Sequence, residues 1–79
     1  STSSIPSYFT TTTWANVLEG DIANRAGSHV FMIKYKYTSG GEFYMMSTYE
    51  STTDGLYQGT TYMHRYLSDV VNKYTPMKK

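Results

Sequence analysis

Two runs of strand-forming residues, 29–37 (HVFMIKYKY) and 42–50 (EFYMMSTYE), stand on either side of the short segment TSGG. This arrangement constrains the fold more than any other feature of the chain. Gly40-Gly41 supplies the positive φ angles that a tight hairpin turn demands, and both flanking runs are rich in aromatic residues. An antiparallel hairpin follows. In the first strand His29, Phe31, Ile33, Tyr35 and Tyr37 share one face, and Val30, Met32, Lys34 and Lys36 share the other. In the return strand Phe43, Met45, Ser47 and Tyr49 alternate with Tyr44, Met46 and Thr48.

The flanking segments show a different period. Trp14, Val17, Leu18 and Ile22 recur at helical spacing, with Thr11, Thr12 or Thr13 as N-cap and Gly27 as terminator, which predicts a helix over 12–26. Gly20 costs about 1 kcal/mol inside such a helix, so a shorter helix ending at Gly20 is the alternative. Met63, Tyr66, Leu67, Val70, Val71 and Tyr74 repeat the pattern and predict a second helix over 62–74, capped by Thr60 or Thr61 and stopped by Pro76. Between hairpin and last helix, STTDG (51–55) is a turn and Leu56-Tyr57-Gln58 a short third strand. The expected fold is therefore α+β: two helices packed on one face of a small antiparallel sheet, in the order α-β-β-(β)-α. Residues 1–10 (STSSIPSYFT) read as a flexible N-terminal arm and 11–79 as a single small domain.

Charge argues against electrostatic partners. Seven basic and six acidic residues leave a net charge of +1, with neither a polybasic arm nor an acidic block. Cysteine is absent, which removes disulfides, thiolate ligands and a thiol nucleophile together. A small domain without disulfides suits a reducing compartment, and no apolar stretch reads as a signal peptide or a membrane span, so the expected location is cytoplasmic. Only His29 and His64 could join carboxylates around a metal, and no metal motif is present. His64 and Asp69 do not form a hydrolytic constellation, and phosphate-loop and nucleophile-elbow motifs are missing. The expectation is a non-catalytic chain without metal or cofactor.

The order α-β-β-β-α resembles the layout of double-stranded-RNA-binding domains. That resemblance implies phosphate contacts from basic residues at the start of the last helix. The matching stretch here, residues 59–65 (GTTYMHR), carries one arginine and no lysine pair.

Nine tyrosines in 79 residues exceed what so small a core can hold. Tyrosine buries a large area at little entropic cost and is enriched at interfaces. With helices on one sheet face, Met32, Tyr44 and Met46 fall on the open one, and Tyr57 joins them from the third strand; Tyr8 and Tyr62 are further candidates for exposure. These residues point to a protein-binding or assembly module whose partner is another protein or a second copy. The alternative is a weak single-stranded nucleic-acid binder using Lys34, Lys36 and Tyr44, in which bases stack on aromatic rings beside cations.

Overall fold

A computed structural model describes residues 8–53 and 58–79. They form one six-stranded antiparallel sheet. Its strands are β1 (Thr10–Thr11), β2 (Ile22–Arg25), β3 (His29–Ser39), β4 (Glu42–Thr53), β5 (Gln58–Tyr66) and β6 (Thr75–Lys78). The spatial order is β1-β6-β2-β3-β4-β5. A single helical turn, α1 (Leu67–Val70), follows β5.

The β3–β4 hairpin forms across Gly40 and Gly41, whose φ angles of 60° and 82° give the twist that matches two right-handed strands. The rest departs from two helices on a small sheet: the molecule is mostly antiparallel sheet with one short helix. The first expected helix is replaced by a turn-rich loop and β2. Gly20 sits at φ 94°, in the left-handed region that a right-handed helix cannot include. The loop satisfies its own backbone instead. Asn16 and Val17 donate N–H bonds to the Thr13 carbonyl, and the Asp21 carboxylate accepts the Leu18 N–H at 2.8 Å. Gly20 then donates to the Ile33 carbonyl, which stitches the loop to β3.

The second expected helix is a strand for most of its length. β5 pairs with β4 from Thr53↔Gln58 to Met45↔Tyr66. Its sequence, QGTTYMHRY, is rich in threonine and tyrosine, which fit a pleated surface better than a helix. Only Leu67–Val70 turn helically, and the chain then crosses one sheet face to enter β6 between β1 and β2. Pro76 tolerates this interior position because its carbonyl bonds the Thr12 N–H, on the β1 side. Its missing N–H therefore falls toward the end of a two-residue strand, where no ladder continues. The expected third strand at 56–58 lies outside the described residues except for Gln58, which opens β5. Residues 1–7 of the expected arm also lie outside them, and Thr10 already pairs with Lys78.

The crossing segment and the loop before β2 cover the same face and enclose the core. Val17, Ala23, Phe31, Ile33, Met46 and Val70 are buried there, with Trp14, Phe43, Leu67 and Tyr74 packed against them. Each large side chain among these contributes about 1.5–3 kcal/mol of burial. The apolar faces of the two expected helices are thus only partly buried. Leu18 is 66% exposed and Val71 43%, because neither belongs to the helix that would have turned it inward.

Candidate functional site

The second sheet face is the more open one: Met32, Tyr35, Tyr62 and Tyr66 are exposed on it, while Ile22 and Ser47 are buried between their neighbours. Its composition is fixed by register, since residues directly opposite in antiparallel pairs share a face. Met77, Ile22, Met32, Tyr49 and Tyr62 form one row across β6, β2, β3, β4 and β5. Tyr35, Ser47 and His64 form the next, and Tyr37, Met45 and Tyr66 a third.

A β-bulge makes this face aromatic. Ile33 pairs with Thr48, but Ser47 pairs with Tyr35, so Lys34 is an extra residue in β3. Strict alternation would have put Tyr35 and Tyr37 with Phe31 and Ile33 in the core. The extra residue turns both rings outward and sends Lys36 to the covered face. A second irregularity, at Tyr44, similarly returns Phe43 to the covered side. The rings on this face brace one another. Tyr35 and Tyr37 meet edge-on at 4.8 Å between centroids, Tyr49 and Tyr62 at 5.1 Å, and Tyr37 lies 6.0 Å from His64. The Lys34 ammonium stands 6.0 Å from the Tyr62 ring. Tyr62, the outermost of these, is 67% exposed.

The expected site residues divide between the two faces. Met32 is exposed on the open face, and Lys34 lies beside Tyr62 there. Met46 is fully buried: its side of β4 faces the core, together with Thr48 and Glu50. This corrects its placement as a contact residue. Lys36 also leaves the open face. Its ammonium donates to the Val17 carbonyl at 2.6 Å and lies 4.7 Å from the Phe43 ring, which ties the loop down. Tyr44 is exposed, but beside a groove of about 380 Å³ lined by Phe43, Tyr66, Leu67 and Val71 rather than within the tyrosine rows. Tyr57 lies outside the described residues. The stretch 59–65, matched above to the start of an RNA-reading helix, belongs to β5. Tyr35, Tyr37, Tyr49, Tyr66 and His64 join the face without having been expected there. The bulge has no signature in residue types, and the last two sit where helical spacing masked a strand.

Beneath the sheet a polar cluster fixes these strands together. The Glu50 carboxylate, on β4, accepts from Arg65 Nε at 2.5 Å, Arg65 Nη2 at 2.7 Å, Thr48 Oγ1 at 2.7 Å and His29 Nε2 at 2.6 Å. Four donors fill its lone-pair positions and join β3, β4 and β5. Burial alone would raise the Glu50 pKa, but hydrogen bonds from Arg65, Thr48 and His29 outweigh it and lower the value to about 2. The Arg65 guanidinium lies over Phe31 and Tyr74, at 4.9 and 5.7 Å from the ring centroids. With both charges satisfied internally, the cluster acts as a brace.

Comparisons with protein-family models, curated proteins and solved structures find no match. Among the described residues no three acidic, histidine or cysteine side chains gather as a metal-ligand set, and no helix is long and apolar enough to cross a membrane. Physically, the open face offers a firm, broad surface of phenol rings and thioethers with a cation at its margin.

Proposed function

We propose that this protein is a non-catalytic binding module that engages another protein through the open face of its sheet, with Met32, Tyr35, Tyr37, Tyr62 and Tyr66 as the contact residues. One observation carries the reading. The loop and crossing segment cover a single face, and the β3 bulge turns two further tyrosines onto the other. A partner with an apolar centre and a carboxylate opposite Lys34 complements this surface. Rigid aromatic side chains give contact area at low entropic cost, and their hydroxyls accept and donate at the rim. A single-stranded nucleic-acid surface is less well supported, because Lys36 is engaged under the loop and leaves Lys34 without its second lysine.

The test is a doubly substituted chain, Tyr35→Ser with Tyr66→Ser, compared with Lys73→Ala on the remote side. Both should keep the parent unfolding midpoint. Partner proteins retained from the source extract by the parent and by Lys73→Ala should be lost from the double variant. Equal retention by all three chains would sink the reading. Loss of the bound material between ~50 and ~200 mM salt, together with its sensitivity to nuclease, would favour nucleic acid instead.

A further inference from the structure

The two edges of the sheet are unlike. At one, β1 is only two residues long. At the other, β5 runs for nine, and among the described residues nothing pairs with its outer side. Protected edge strands carry lysine, proline or an unpaired inward charge. β5 has neither lysine nor proline, and its one permanent charge, Arg65, is already neutralised by Glu50. Thr60, Thr61, Tyr62 and Tyr66 among its residues are good strand formers. The backbone donors and acceptors along such an edge favour another strand.

We infer that β5 is a self-pairing edge, and that two copies of this chain join antiparallel along it about a twofold axis at Tyr62. The occupant follows from the sequence of the strand itself. Centring on Tyr62 is the register that uses the whole of Gln58–Tyr66. It sets Arg65 opposite Gly59, His64 opposite Thr60 and Met63 opposite Thr61, so no like charges face each other. Gly59 leaves room beside the longest side chain of the strand. At the axis the two Tyr62 rings meet, and the row Met77–Ile22–Met32–Tyr49–Tyr62 continues into its own symmetry mate across the joined sheets. With one long edge per chain the contact is isologous and closes at the dimer instead of growing into a fibre. This contact lies at the sheet's rim and stands whether or not the open face binds a second protein.

The experiment is the solution mass of the whole chain over a wide range of concentration, by sedimentation. The parent should move from 9.0 kDa toward twice that mass as concentration rises. Tyr62→Lys and Tyr62→Glu should each stay monomeric, since each places like charges across the axis. An equimolar mixture of the two should recover the doubled mass, because lysine then faces glutamate. Tyr35→Ser, which alters the face but not the edge, should dimerise like the parent. A second measurement needs no substitution: the outward amides of β5 should exchange more slowly at high concentration, and those of β1 should not change. A parent that is monomeric throughout would overturn the inference. So would variants that still dimerise singly, or a mixture that does not recover. A dimer broken by Tyr35→Ser but not by Tyr62→Lys would place self-contact on the open face and refute the edge.

Discussion

Glu50 is the residue on which the sheet's interior depends most. Its side chain is 3% exposed and holds donors from three strands. Glu50→Gln keeps the size but leaves Arg65 without its counter-charge against Phe31 and Tyr74. Breaking a buried pair from one side costs about 3–5 kcal/mol, a large part of what a small domain has. The same residue sets an acid limit. A carboxylate whose pKa falls from 4.5 in the unfolded chain to about 2 in the folded one stabilises the fold at pH values above 4.5. That contribution, about 3 kcal/mol, is lost as pH falls from near 4.5 toward 2. Denaturant unfolding across that range should show the parent weakening steeply and Glu50→Gln, already weak, changing much less. Parallel slopes for the two chains would mean that another group governs acid unfolding.

At the scale of elements, the bulge in β3 decides which face becomes aromatic, and it makes an unusual prediction. Removing a residue from an interior strand normally flips every side chain beyond the cut. Deleting Lys34 should not, because Tyr35 would then follow Ile33 directly, still opposite Ser47, with Lys36 still inward. That deletion should change stability by only about 1 kcal/mol. Deleting Met32 should cost about 3 kcal/mol or more, since Phe31 or Ile33 must then leave the core. Denaturant midpoints of the two deletions check this, and equal losses would show that Lys34 is not the extra residue. The bulge also explains the limits of reading this chain from its letters. The hairpin was legible, because Gly40-Gly41 and two alternating runs agree on it. The faces beyond Ile33 were not, because one inserted residue reverses alternation without changing composition. The flanking segments misled for another reason. Trp14 and Val17, or Leu67 and Val70, are brought to the core by a loop and by one helical turn, and side chains gathered that way mimic helical spacing. Gly20 and the threonine-tyrosine content of β5 were the local signs against helix. Of the candidate site, Met32 and Lys34 could be placed on the open face from alternation alone. Tyr35 and Tyr37 could not.

The whole molecule combines a local half with a remote one. β3, β4 and β5 are consecutive in the chain and adjacent in the sheet, a meander, whereas β6 reaches back from the end of the chain to pair with β2 and β1. Closing that long loop loses chain entropy before any contact offsets it, so the meander should form first and the crossing segment dock last. The two halves can be separated by substitution. Gly41 has a φ of 82°, and Gly41→Ala should destabilise by about 1 kcal/mol through the strained turn. Because the turn belongs to the early meander, that loss should appear as slower folding with unfolding little changed. Val70 is fully buried in the crossing segment, and Val70→Ala should destabilise the native state by about 1–3 kcal/mol. Its contacts form after the barrier, so this loss should appear as faster unfolding with folding little changed. Stopped-flow measurement of both limbs for each variant distinguishes the cases. If Val70→Ala slowed folding and Gly41→Ala did not, the crossing segment would have to dock on β2 and β3 before the hairpin closes, and the covered face would organise the sheet instead of being laid over it.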